Sequence, residues 1–450
     1  MTASGASGGG ELPGAQPQVS ISILEGTSVR RTPEVAGARP VPGTPMRAVL
    51  HGPDGALRFD DAHLSKHILF LGSIGAGKTN AMMQLVRKLR SRAGQDDVFV
   101  VFDTKGDFEK EFRQPGDAVI SSAGAACEGG LVWNLFSDML GQEQSERGDQ
   151  IYEIASTVFG EELSRSAENF FFPAAARDIF AAVVEAMSRE GKPFSNADLR
   201  ARLEGSPEEL MDLMSGHPDL AGTARYLEGE RSPEAILAFL QQVLNNSFSG
   251  SFRQQGDFSI RQFVRNKGGR AVFIEYDIAI GSRLVPVYRV LMDMAIKEAL
   301  SLGRRGSPGS VFLVLDEFAL LPQLSHISDG INFGRSLGLK FVVGTQNVNQ
   351  VIKAYGSELG MTILSGFGTV FAFRLMDNGS RELVRQRYGA NRKQITTYAP
   401  VRSEGVQQQV VTGNVIEDWA LSSLTTGRCI VSLPEGPPFF FAFDAYQGSA

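Results

Sequence analysis

The chain has 450 residues, of which 42% are apolar and 21% charged, and its net charge is −6. That length exceeds what one hydrophobic core ordinarily serves, and the composition excludes a fibrous or wholly disordered chain. The acidic balance argues against a surface coated in positive charge, although a channel needs basic groups only along its wall.

No stretch reaches the ~18 consecutive apolar residues that a membrane-spanning helix requires, and the N-terminus lacks a basic-then-apolar signal. The expectation is a cytoplasmic protein without its own transmembrane helix, or one held at the inner face of the membrane by something else. Cys127 and Cys429 match no metal or redox spacing, so buried thiols in a reducing compartment are expected. His63 and His67 stand four apart with no third ligand near, which disfavours zinc.

Residues 1–46 are rich in Gly, Pro, Ser and Ala and read as a flexible arm, with a short alternating piece, Val19 to Leu24, that suits an edge strand. From His67 the pattern is strand (His67–Leu71), glycine-rich loop, then helix (Thr79 to about Arg90). A β-branched, unalternating strand follows at Val98–Phe102, as expected where both faces of a parallel sheet are covered. Residues 47–140 thus form the first part of a nucleotide-binding domain. Helical periodicity fills 141–231, where 18 acidic residues face 9 basic ones, so an acidic all-α insert is expected in a slightly basic host.

Residues 232–450 return to strands at Arg270–Tyr276, Val311–Leu315, Lys340–Gly344 and Thr369–Arg374, with a long helix over about Leu284–Leu302. The run Phe439–Phe443 reads as a final strand, and Phe170–Pro173 as core packing. Strands separated by helices describe an α/β fold with a doubly wound, mostly parallel sheet.

Gly72-Ser73-Ile74-Gly75-Ala76-Gly77-Lys78-Thr79 fits the phosphate-loop pattern at every fixed position and lies between a strand and a helix, with Asn80 next. The glycines let backbone N–H groups point at phosphates, Lys78 neutralises the β and γ oxygens, and Thr79 ligates Mg²⁺. Strand Val311–Leu315 ends in Asp316 and Glu317. Beside an intact loop, Asp316 suits Mg²⁺ and Glu317 suits activation of water. ATP with Mg²⁺ is therefore the expected cofactor pair. Gln346 ends the next strand, where an amide can sense the γ-phosphate. Arg335, between those two strands, suits an arginine finger given to a neighbouring subunit, or else a plain surface arginine. The cluster Arg381, Arg385, Arg387, Arg392 and Lys393 reads as a solvated face or as a DNA contact.

Taken with Phe102-Asp-Thr-Lys-Gly-Asp-Phe108, Phe112–Asp117, Trp133–Phe136, Gly256–Ile260, Leu315–Pro322 and Gly344–Asn347, these motifs resemble the conjugative coupling proteins of type IV secretion systems. These are the TraD/TraG-like branch of the FtsK/HerA superfamily of ring ATPases. The resemblance runs from about His67 to the C-terminus. It implies a RecA-like P-loop core and a homo-hexamer when active. It further implies DNA, a relaxase or other secretion substrate, and membrane components of the channel as partners. The placement of Arg335 also resembles the family's finger arginine. Two departures stand out: such proteins usually carry N-terminal membrane helices where this chain has a Gly/Pro-rich arm, and the acidic insert is ill suited to grip phosphates. Two further readings stay open. One is a soluble HerA- or FtsK-like DNA pump in repair, segregation or defence; the other is a nucleotide-switched adaptor that delivers protein cargo.

Overall fold

The computed structural model describes residues 18–33, 42–139, 144–165, 170–228, 233–398 and 406–448. In chain order its strands begin with β1 (Gln18–Glu25), β2 (Met46–Gly52), β3 (Gly55–Asp60), β4 (Ile68–Leu71) and β5 (Val98–Asp103). Then come β6 (Ala118–Ile120), β7 (Gly130–Leu131), β8 (Ala271–Glu275), β9 (Val311–Leu315) and β10 (Leu339–Thr345). The last are β11 (Thr369–Ala372), β12 (Ala390–Tyr398), β13 (Val406–Asn414), β14 (Arg428–Ser432) and β15 (Phe439–Ala442). Five helices carry the argument below: α1 (Lys78–Arg90), α2 (Phe171–Arg189), α3 (Pro233–Ser247), α4 (Gly281–Arg304) and α5 (Ile327–Leu337).

Ten strands form one sheet in the order β15-β14-β11-β4-β10-β9-β5-β8-β6-β7. From β11 to β7 the neighbours run parallel, and only β14 and β15 are antiparallel. Every residue of β4, β5, β9 and β10 is buried, because both faces of the sheet are covered. Ile68 and Phe70 face one core with α1, the β2–β3 hairpin and Phe439, Phe441 and Phe443. Leu69 and Leu71 face the other, with α4, α5 and the helices between residues 144 and 247. Phe70 stacks on Phe371 and Phe99 on Phe312, each pair at 4.6 Å, so cross-strand aromatic contact stitches the first face.

The helical region starts its helices by local chemistry. Ser195 and Ser206 each close a capping box, with Asp198 and Glu209, and Pro207 follows the second cap. Residues 141–143 and 229–232 lie outside the described residues. Helices continue beyond residue 231: α3 lies against α2 and α4. Phe180 of α2 sits between Phe159 (5.7 Å) and Phe248 (6.0 Å), in a core that runs without a break into that of the sheet.

The edge strand expected at Val19 to Leu24 is present: β1 pairs antiparallel with β12 in a three-stranded sheet with β13. Beyond it, Arg30 exchanges backbone hydrogen bonds with Pro438 and Phe440 beside β15. The alternation of Val19, Ile21 and Ile23 suits such an edge strand. Residues 1–17 and 34–41 lie outside the described residues. Phe170 and Phe171 are exposed at the start of α2, and only Pro173 of that run is buried. Cys429 is buried, but Cys127 is only half-buried, its thiol donating to Gly124 O.

A continuous core makes the helices dependent on the sheet. Phe180→Ala is expected to lower the unfolding free energy by about 3–5 kcal/mol, read as a shift in the denaturant midpoint of the whole chain. A shift confined to helical signal, with the sheet melting unchanged, would show separate cores.

Candidate nucleotide site

Parallel pairing brings three strand ends to one level. Leu71 of β4 pairs with Thr345 of β10, and Leu315 of β9 with Val343, so Gly72, Gln346 and Asp316 all emerge at the same edge. In this order β10, which ends at Gln346, stands between the phosphate-loop strand and the acidic strand.

The loop itself is held from three sides. Gly72 N–H donates to Thr345 O (3.3 Å), Ser73 N–H to Arg374 O (2.9 Å) and Gly427 N–H to Ala76 O (3.0 Å). Gly75 and Gly77 have φ of 72° and 106°, left-handed values that cost a side chain dearly. At Gly77 a Cβ would also lie 2.8 Å from Gly427 N. Ile74 forms the exposed tip, 79% accessible, and Gly77 caps the first turn of α1. Backbone amides at the start of a 13-residue helix make a concave anion cradle.

Lys78 curls back across the cradle, donating to Gly72 O (2.5 Å) and Ser73 O (3.4 Å). Burial holds its ammonium below the ordinary lysine range, with Lys105 adding to that effect and Glu317 and Asp316 opposing it. Both acids are therefore electrostatically in reach of Lys78. Burial raises Glu317 above the usual glutamate range, against a hydrogen bond from Gln346 and the charge of Lys78. Its Oε1 is buried with no hydrogen-bond partner among the described residues. An orphaned carboxylate oxygen beside the cradle is an acceptor aimed at something a substrate or its water would provide.

Asp316 is buried and accepts a 2.6 Å hydrogen bond from Thr104 Oγ1. Thr104 and Lys105 belong to the turn after β5, which Asp103 shapes by accepting from the N–H groups of Lys105, Gly106, Phe108 and Glu109. Sequence reasoning quoted this turn without giving it a role. The signal that could have found it is its position, at the end of a buried strand next to the acidic one. Gly344 completes the assembly: a Cβ there would lie 2.3 Å from Asp316 O and 2.9 Å from Met82 Sδ of α1.

Not every candidate converges. Arg335 stands on the exposed face of α5 beside Asn332 and Phe333, with no ion-pair partner among the described residues, and it does not join the cluster within one chain. Asn80 turns its side chain away from the loop, donating to Asp444 O (3.0 Å) and accepting from Tyr446 N–H (2.5 Å). Only its backbone is left for the cradle. Gln84 and Arg87 hold the same C-terminal stretch, at Asp444 O and Gln447 O, and the Arg87 guanidinium lies over the Tyr446 ring. All five basic residues of the 381–393 cluster are tied within the chain. Arg381 holds Met376 O, Arg385 holds Asp418, Arg387 holds Gly368 O, Arg392 holds Glu25 and Lys393 holds Glu417.

The donor set fits a triphosphate with a hard divalent cation, since the loop offers amides and an ammonium while Thr79 and Asp316 offer oxygen. A family described as the type IV secretion-system coupling protein DNA-binding domain, TrwB_AAD_bind, matches residues 55–422. The chain belongs to this family. No curated protein matches its sequence significantly. Among solved structures, the unbound monoclinic form of the bacterial conjugative coupling protein TrwBdeltaN70 aligns at a TM-score of 0.76 and 19% identity, covering 99% of this chain and 98% of that one. The plasmid coupling protein TrwB in complex with ADP and Mg²⁺ gives 0.73 and 19% over 98% of both chains. VirB4 of Thermoanaerobacter pseudethanolicus gives 0.56 and 15%, over 90% of this chain and 98% of that one. The RecA-like sheet order is thus the fold of a type IV coupling protein. Among the described residues, no helix is long and apolar enough to cross a membrane.

If Gly344 exists to let β9 approach α1, its replacement must push them apart. Gly344→Ala is expected to destabilise the chain by about 1–3 kcal/mol and to reduce ATP hydrolysis at least tenfold. Thermal melting and steady-state turnover check both, and unchanged turnover would remove the spacing argument.

Proposed function

We propose that this coupling protein is an Mg²⁺-dependent ATPase that drives DNA, with its attached relaxase or another secretion substrate, toward a type IV secretion channel. The observation that carries this reading is the convergence of Lys78, Asp316, Glu317 and Gln346 at one sheet edge in a chain of the coupling-protein family. Bound ATP supplies the bond that is cleaved, and Mg²⁺ the charge that offsets the triphosphate.

The protein's own residues then have distinct tasks. Gly72, Ser73, Ile74, Gly75, Ala76 and Gly77 shape the cradle and present amides, while Lys78 leaves its carbonyl partners for phosphate oxygens. Thr79 and Asp316 hold the cation, and Thr104 fixes the carboxylate of Asp316 by its hydrogen bond. Glu317 orients and activates the attacking water through its free Oε1. Gln346, bonded to Glu317 and placed on the intervening strand, reports the state of the γ-phosphate to the sheet. The exposed face of α5 offers Arg335 to the site of a neighbouring copy, which is what a ring closed as a homo-hexamer would require. We place its work at the inner face of the cell membrane, with the membrane components of the channel as partners.

Lys78→Ala is expected to abolish turnover. Glu317→Gln should lower kcat by about a hundredfold or more while nucleotide is still retained. Arg335→Ala should lose turnover with ATP affinity intact in the monomer. Turnover measured with and without single- and double-stranded DNA, alongside mass in solution, tests the whole reading. Full activity of Arg335→Ala would remove the shared site. Turnover indifferent to DNA, together with a stable complex with a protein cargo, would favour the adaptor reading.

A further inference from the structure

The turn after β5 presents an ammonium at the nucleotide edge of the sheet. Phe102 pairs with Leu315, and Asp316 N–H donates to Phe102 O (3.3 Å), so residues 103–106 leave the sheet beside the two acids. Thr104 is already spent on Asp316. Lys105 follows it, exposed, and its side chain has no ion-pair or hydrogen-bond partner among the described residues.

Carboxylates are close in the chain, yet Lys105 pairs with none of them. Asp103 is occupied by the N–H groups of Lys105, Gly106, Phe108 and Glu109, and Glu109 is held by Arg113 (3.0 Å). Gly106, at φ 73°, takes the left-handed conformation that lets those amides close on one carboxylate, and a Cβ there would meet nothing within 4 Å. The backbone of Lys105 is therefore fixed while its side chain stays open to solvent.

That charge acts on the phosphate cradle. Lys78, whose ammonium is lowered first by burial, is lowered further by the charge of Lys105. In the strand order β4-β10-β9-β5, Lys78 follows the first strand and Lys105 the last, with Gln346, Asp316 and Glu317 between them. Two like charges brought to one edge repel, and an anion with several negative charges relieves that repulsion by entering between them.

We infer that Lys105 binds the γ-phosphate of ATP from the side opposite Lys78, so that a second ammonium distinguishes a triphosphate from a diphosphate. The inference rests on the ATPase reading and deepens it. Lys105 stays protonated and forms no covalent bond, contributing only charge and N–H donation to phosphate oxygens. A compact ammonium on a flexible stem suits such a point contact from an exposed turn.

The test measures binding rather than turnover alone. The full chain, in magnesium buffer at physiological salt where diffuse attraction is screened, is titrated calorimetrically with ADP and with the non-hydrolysable β,γ-imido analogue of ATP. Lys105→Gln should weaken the triphosphate about tenfold or more, the loss of one charge-assisted hydrogen bond, and ADP less than about twofold. Lys105→Arg should keep most of the preference for the triphosphate. Lys110→Gln, an equal charge change on an exposed residue of the same stretch, should leave both affinities unchanged. Melting curves of the three variants should match the parent, and turnover of Lys105→Gln should fall in step with its triphosphate affinity. Equal weakening of ADP and triphosphate, equal effects of Lys105→Gln and Lys110→Gln, or a Lys105→Gln chain that holds the triphosphate as tightly as its parent would overturn the inference and leave the ATPase reading standing. A parent chain that binds neither nucleotide would overturn both.

Discussion

The chemistry depends first on a matter of register. Three parallel strands end within two residues of one another, so a glycine-rich loop, an amide and two acids leave the sheet at a common edge. Parallel hydrogen bonding fixes that alignment, because a slip of one residue would turn every buried side chain of β10 to the opposite face. Burial of β4, β9 and β10 on both faces makes such a slip expensive. The electrostatics of the site follow from the same arrangement, since Lys78, Asp316 and Glu317 influence one another only because their strands end together.

Much of this was legible in the chain itself. Val98–Phe102, Val311–Leu315 and Phe341–Gly344 are apolar without alternation, which identifies strands covered on both sides, and the phosphate loop sits between a strand and a helix. The short strands β6 and β7 were not legible. They have three and two residues, and each is extended only through a neighbour, β6 by pairing with β8 and β7 by pairing with β6. Strands β12 and β13 escaped for a different reason, since β13 carries a polar, exposed sequence that carries no strand signal and takes its form from its neighbour. Local pattern also could not mark the end of the helical region, because α3 belongs with α2 through packing rather than through composition.

Within the site the division is similar. Lys78, Thr79, Asp316 and Glu317 are readable because the loop and the acidic strand have fixed spacing and a known physical task. Thr104 is not, for its role rests on the pairing of Phe102 with Leu315 across more than 200 intervening residues. Nor could the sequence show that the side chain of Asn80, the residue after Thr79, is spent on Asp444 and Tyr446. The helices between 144 and 247 show the same principle at larger scale. Phe159, Phe180 and Leu240 of that region share one hydrophobic core with Leu69 and Leu71 of β4, so the helices are packed against the sheet rather than around a core of their own.

The stretch from Asp444 to Gln447 lies along the outside of α1, fastened by Asn80, Gln84 and Arg87 and by Tyr446 on Glu111. Asn80 immediately follows Thr79. A pull on this stretch, from either side, would therefore be felt in the opening turn of that helix, with no need to cross the sheet.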